Sequence, residues 1–173
     1  MLTISGNNLV HFYENSSGSG AAIGSNRIGT KVNLLNNNIL RFTNNTTISA
    51  AGGAMGFKGA QTDISGNGLV SFVGNTASTN GGAYHDNNSK GLLTVSNNSR
   101  VEFSNNSIIK SSNYGGAMYI NNADFENNDV ITFSGNSSNY HGGAIHIGGK
   151  GKVSFSSTDG SADIVRFSGN YAK

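Results

Sequence analysis

The chain has 173 residues and contains no cysteine, no proline and no tryptophan, and only 12% of it is charged. Without cysteine there is neither a disulfide framework nor thiolate-ligated zinc, and thiol usage carries no signal of compartment. Sparse charge argues against ordinary disorder, which pairs high net charge with a lack of periodic apolar positions. The net charge is +2 and the lysines and arginines are scattered singly, so no basic stripe tracks a phosphate backbone, and nucleic acid is not an expected partner despite a pI near 8.9. No apolar run approaches the ~20 residues that span a bilayer, and no charged segment followed by an apolar one marks a secretory leader.

What is present is a repeat. An aromatic-x-x-Asn signature occurs six times, at Phe12–Asn15, Phe42–Asn45, Phe72–Asn75, Phe103–Asn106, Phe133–Asn136 and Phe167–Asn170, at intervals of 30, 30, 31, 30 and 34 residues. Between these copies lies a second signature: Gly52-Gly53-Ala54-Met55, Gly81-Gly82-Ala83-Tyr84, Gly115-Gly116-Ala117-Met118 and Gly142-Gly143-Ala144-Ile145, with a degenerate first copy at Gly20-Ala21-Ala22-Ile23. A fixed period of roughly 20 to 50 residues means a solenoid, propeller or array, whose function resides in a repeated surface rather than one pocket.

Two residues before each Phe stands Val10, Leu40, Val70, Val101, Ile131 or Val165, and the residue between is polar or charged. This period-two alternation predicts a half-buried strand. Eight residues before the first five Phe stand Ile4, Leu34, Ile64, Val95 and Phe125, each followed by turn residues; in the last repeat the equivalent is Phe155, with Ser157-Thr158-Asp159-Gly160 as an inserted loop. The segment after each Gly pair supplies a third apolar patch. Three short strands and three turns in about 30 residues fit neither a propeller blade nor a helical repeat. They predict an all-β fold, a three-sided right-handed parallel β-helix of about six coils spanning residues 1–173 as a single domain. In that coil the motif Asn turns its amide inward at a corner, as Asn ladders do in stacked sheets. The Gly pair supplies positive φ and close backbone approach at another corner, and Phe stacks on Phe through the core. Between the Asn and the Gly pair lie six, five, eight and five residues from the second copy onward, so these corners form the variable surface.

With both signatures in view, the chain resembles the repeat region of the chlamydial polymorphic membrane proteins, whose hallmark is interspersed Phe-x-x-Asn and Gly-Gly-Ala-(Ile/Leu/Val) motifs. The resemblance covers nearly the whole chain. Only Gly142 to Ile145 has the strict second motif; Met55, Met118 and Tyr84 replace the aliphatic residue, and Ala21 replaces a glycine. The family implies an autotransporter: a β-helical passenger displayed on the bacterial cell surface, followed by a translocator barrel in the outer membrane. It also implies an adhesin that binds a host-cell surface protein or glycan. The chain then corresponds to a passenger fragment that meets the membrane only through a barrel it does not contain, and its motif residues are scaffold with an adhesive role implied by the family. A bare strand edge at either end of a solenoid also implies self-association along its axis.

A glycan-binding or polysaccharide-cleaving protein is the competing reading, because β-helices also carry sugar-cleaving sites, and fold alone does not decide. Such sites need converging carboxylates. Asp124 and Glu126 flank the inward Phe125 and point outward together, and their neighbours in adjacent rungs are Thr94, Ser96, Ser154 and Ser156. A solvated acidic pair accounts for them better than a catalytic one, and no catalytic residue, cofactor or metal is assigned. His85, Tyr119 and His146 each follow the motif alanine by two residues, which predicts an outward column on one face. The two histidines, two rungs or about 9.6 Å apart, cannot share one metal. The column is a candidate contact patch, since aromatic residues are enriched at interface cores. Calcium-binding nonapeptides and a regular threonine array are both missing from the sequence.

Overall fold

Each turn of the chain opens with two five-residue stretches in which apolar and polar positions alternate, and each folds as a strand with its apolar face inward. The computed structural model describes residues 1–110, 113–158 and 164–173. The first turn runs through β1 (Leu2–Ser5), β2 (Leu9–Tyr13), β3 (Ser16–Ser17) and β4 (Ile23–Ser25). The second repeats it in β5 (Lys31–Leu35), β6 (Ile39–Thr43), β7 (Thr46–Thr47) and β8 (Met55–Phe57), and the third in β9 (Gln61–Ser65), β10 (Leu69–Val73), β11 (Thr76–Ala77) and β12 (Tyr84–Asp86). The fourth begins with β13 (Leu92–Ser96), β14 (Arg100–Ser104) and β15 (Ser107–Ile108). Its last strand fuses with the first strand of the fifth turn as β16 (Met118–Glu126), and after β17 (Val130–Ser134) and β18 (Ser137–Ser138) the same fusion recurs in β19 (Ile145–Ser156). The chain closes with β20 (Ile164–Ser168) and β21 (Tyr171–Ala172).

Every strand pairs in parallel with its equivalent one turn away, giving three parallel sheets. The result is an all-β parallel solenoid of five complete turns with most of a sixth. The sequence reading of three strands per coil differs in two respects. The strand after the Gly pair shares one sheet with the opening strand of the next turn, while the remaining sheet is built of the two-residue strands after the motif asparagine, such as β7. In the first three turns a short loop splits that shared side into two strands, and in the last two that loop is absorbed into β16 and β19, with a register shift between Ile120 and Asn122 marking the join. The added residues before the last Phe lie between β19 and β20. Of the inserted loop, Asp159 and Gly160 fall outside the described residues.

Register puts like on like. Phe12, Phe42, Phe72, Phe103, Phe133 and Phe167 stack as one column, with ring centroids 4.6–4.9 Å apart and planes within 7° of parallel. The inner four are fully buried, while Phe167 on the last turn is 51% exposed. Beside the column, Phe125 stacks on Phe155 at 4.7 Å and meets Phe133 edge to face.

At the corner after each Phe the motif asparagine forms a ladder. The Asn75 Oδ1 accepts both the backbone N–H of Asn45 (3.0 Å) and its Nδ2 (2.9 Å). The Asn75 Nδ2 in turn donates to Asn106 Oδ1 (3.0 Å) and to the carbonyl of Phe42 (2.9 Å). The same pattern links Asn15, Asn45, Asn75, Asn106, Asn136 and Asn170, so each inner amide uses two acceptor sites and both donors. The residue before the ladder asparagine has positive φ throughout: Glu14, Asn44, Gly74, Asn105, Gly135 and Gly169. Glycine and asparagine tolerate this left-handed conformation, and Glu14 is the exception.

A second ladder occupies the corner between the first two strands of each turn, through Asn7, Asn37, Asn67, Asn98 and Asn128. Its amides donate to the carbonyls of Ile4, Leu34, Ile64 and Val95 one turn earlier, as the first ladder donates to the Phe carbonyls.

The two glycines of the second signature have separate causes. The first, as at Gly52, has φ of 71°. The second lies where backbones converge: a Cβ on Gly82 would stand 2.1 Å from the carbonyl oxygen of Gly116. This spacing lets Gly53, Gly82 and Gly116 donate to the carbonyls of Gly81, Gly115 and Gly142 in the next turn. Ala21, in the degenerate copy, has no corresponding bond among the described residues.

Candidate functional site

The strand after each Gly-Gly-Ala places one residue inward and the next outward. The inward positions are Ile23, Met55, Tyr84, Met118 and Ile145, which pack on the core. Tyr84 fits there because its hydroxyl donates to Thr62 Oγ1 at 3.2 Å, and burial pushes its pKa up. The outward positions in register are Gly24, Gly56, His85, Tyr119 and His146. The structure therefore aligns the three residues predicted as a column. The rings of His85 and Tyr119 are 5.5 Å apart and those of Tyr119 and His146 5.0 Å apart, both edge to face. All three are half-buried, since each ring leans on the next.

A second column joins them. The residue before each Gly pair is Ser19, Ala51, Asn80, Tyr114 or His141, and Tyr114 pairs with His141 across a parallel bridge. The Asn80 Oδ1 accepts the Tyr114 backbone N–H at 2.9 Å. Tyr114 sits 4.5 Å from the His146 ring, 5.7 Å from Tyr119 and 5.5 Å from Tyr140, and Tyr140 lies 4.0 Å from His141. Tyr114, Tyr140 and His141 were not singled out from the sequence. Their signal was their position within two residues of Gly115 and Gly142, in the corner already read as variable.

Both columns change character along the axis. In the first two turns they hold glycine, serine and alanine, and in the fourth and fifth they hold tyrosine and histidine. The outcome is a groove of about 840 Å³ over the first three turns, floored by Gly24 and Gly56 and ended by His85, followed by an aromatic and imidazole patch. Desolvation lowers the His85 pKa to about 4 against the opposing pull of the Asp86 carboxylate, so its ring is neutral at pH 7. Desolvation, and then the neighbouring His141, also lower the pKa of His146. Asp86 itself faces inward and staples two turns, accepting the Gly59 and Ala60 N–H groups at 2.8 and 2.7 Å.

Asp124 and Glu126 lie on the second half of β16, the strand whose first half carries Tyr119. Asp124 accepts a bond from the Ser154 hydroxyl, and Glu126 Oε1 accepts from Thr158 at 3.3 Å. Asp63 shares the Asp124 column but stands two turns away, with Thr94 between them. Among the described residues, no three His, Cys, Asp or Glu side chains gather as a metal site.

The model of the Chlamydia polymorphic membrane protein (Chlamydia_PMP) repeat matches residues 130–148. That stretch is therefore similar to a polymorphic membrane protein repeat. The matched stretch holds β17, the Phe133-to-Asn136 corner, the Gly142–Gly143 pair and the start of β19, which is part of one turn of the solenoid. His146 lies inside the matched residues, whereas Tyr114 and Tyr119 belong to the equivalent unit one turn earlier. No curated protein and no solved structure matches the chain.

Proposed function

We propose that the chain is a stretch of the surface-displayed passenger of an outer-membrane autotransporter, and that it attaches the bacterium to a host-cell surface protein or glycan. The observation that carries this reading is the clustering of Tyr114, Tyr119, Tyr140, His141 and His146 on one side of a rod whose core needs none of them. Tyr140 is 47% exposed and His141 is exposed beside it. The ladders, the Phe column and the Gly pairs hold the fold, while this patch depends on the corner whose length varies between turns. Aromatic rings bring large contact area at small entropic cost, and Tyr is enriched among residues that dominate binding energy. In this reading the motif residues from Phe12 to Asn170 are scaffold, and the contacts come from the columns they present.

The test is binding of the purified chain to cultured epithelial cells, with an unrelated β-solenoid as control. Saturable binding, competed by excess soluble chain and weakened about tenfold by Tyr114→Ser with Tyr140→Ser, is expected. A correctly folded chain that shows no saturable binding would falsify adhesion by this segment.

A further inference from the structure

The groove beside the aromatic patch has its own chemistry. Sixteen residues line it and none is acidic, whereas Arg27 and Lys58 both stand on its rim. Both are exposed, and among the described residues neither side chain takes part in a hydrogen bond or an ion pair. The loops that carry them are fixed by other groups. The Ser25 hydroxyl accepts the Arg27 N–H at 3.2 Å, and the Lys58 N–H donates to the Ser25 carbonyl at 3.2 Å. Two unpaired cations over a concave surface without counter-charge focus a positive field into it.

Hydroxyl groups line much of the rest, from Ser17, Ser19, Ser25, Ser49 and Thr79, on a floor without side chains at Gly24 and Gly56. Beside the apolar surface of Ala50, Ala51 and Phe57, such a lining offers many short hydrogen-bonding groups to a polyol. Its volume of about 840 Å³ lies within the roughly 300–1,000 Å³ typical of small-ligand sites. At the far end the neutral His85 ring closes the groove, backed edge to face by Tyr119. A flat uncharged ring beside hydroxyl-rich walls suits the face of a sugar, and a guanidinium suits a carboxylate or sulfate.

We infer that this groove binds an acidic oligosaccharide, with Arg27 and Lys58 holding its anionic groups, the serine and threonine hydroxyls its ring oxygens and hydroxyls, and His85 the face of a terminal sugar. The inference rests on the adhesive reading above and gives it a ligand class. It also separates the groove from the aromatic patch, which lies in later turns.

The experiment titrates the 173-residue chain with trigalacturonate, a chondroitin sulfate tetrasaccharide, maltotriose and inorganic sulfate, read by calorimetry at low and physiological salt. Binding of either acidic saccharide with no measurable binding of maltotriose supports the site, and the preferred one reports whether carboxylate or sulfate is the natural anion. Arg27→Gln with Lys58→Gln is expected to weaken that binding at least about tenfold and to flatten its salt dependence. Lys110→Gln with Lys150→Gln, which removes the same charge from exposed positions outside the groove, is expected to leave it unchanged. His85→Ala is expected to weaken binding several-fold without altering the salt slope. Failure of both acidic saccharides to bind, equal binding of maltotriose, sulfate binding as tight as the saccharides, or indifference to the Arg27 and Lys58 changes would each overturn the inference. Cell attachment that persists in the Arg27→Gln, Lys58→Gln chain after saccharide binding is lost overturns the groove as the adhesive contact and leaves the adhesive reading intact. Saccharide binding by a chain that does not attach to cells does the reverse.

Discussion

Asn75→Ala tests what holds the corners together. Asn75 is fully buried and its side chain makes four hydrogen bonds: two received from Asn45, one given to Asn106 and one given to the Phe42 carbonyl. At ~0.5–1.5 kcal/mol net for each bond, their loss costs about 2–6 kcal/mol, and the buried groups left without partners push the value toward the upper half. Asn15 offers the internal comparison, because on the first turn it is half-buried and its side chain gives a single bond, to Asn45. Asn15→Ala is therefore expected to cost no more than ~1.5 kcal/mol. Asn75→Asp should be at least as damaging as Asn75→Ala. A carboxylate could still accept from Asn45, but it would face the Asn106 oxygen and the Phe42 carbonyl with no proton to give, as a buried charge without a counter-charge. Urea denaturation followed by far-UV circular dichroism reads all three. Equal costs for Asn75→Ala and Asn15→Ala, or a cost below about 1 kcal/mol for the former, would show that the ladder follows from the coil instead of stabilising it.

Three further outcomes are expected. Glu14 has a φ of 52° where other turns use glycine or asparagine, so Glu14→Gly should raise the denaturation midpoint, by about 1 kcal/mol in stability; a lower midpoint would refute the strain argument. Gly82→Ala should prevent the third and fourth turns from stacking, because its Cβ would stand 2.1 Å from the Gly116 carbonyl oxygen, whereas Gly6→Asn, where a Cβ meets nothing within 4 Å, should fold normally. His85 has a folded pKa of about 4 against an ordinary value of 6.5, so below pH 6.5 the unfolded chain binds the proton that the folded chain refuses. Its contribution is complete above pH 6.5 and is lost as pH falls toward 4; His85→Gln should flatten that part of the stability profile, and an unchanged slope would refute the assignment.

The parallel coil was legible because two signatures with one period leave few architectures, and because the Val-x-Phe alternation gives strand and facing together. The second ladder was equally present in the sequence, since Ile4, Leu34, Ile64, Val95 and Phe125 are each followed three residues later by asparagine. It is less conspicuous than the first because the position before it varies among aliphatic and aromatic residues, with no constant residue ahead of the Asn. The division of the side after each Gly pair into two strands was not legible, since the loops at residues 26–30 and 58–60 and the continuous strand through Asn121 and Asn122 have similar polar composition. At the candidate site, periodicity alone located His85, Tyr119 and His146. Tyr114, Tyr140 and His141 reach the same surface from a corner whose length changes between turns, and a constant offset cannot find residues there. The groove was hidden for a different reason: it is made by Gly24 and Gly56, whose contribution is the side chain they lack.

In both ladders the Nδ2 of each asparagine donates to the Oδ1 of the next turn, never the reverse. At both asparagine corners every junction between turns is therefore chemically the same junction, with the same polarity. A stretch of about 30 residues can be duplicated or deleted in frame, and the flanking turns will meet each other as they met the original neighbour. Rod length then becomes free to vary by recombination between copies within a gene, without new packing. Each such event also moves the boundary between the glycine-floored and ring-bearing turns, so the exposed pattern can be reshuffled while the core is left as it was.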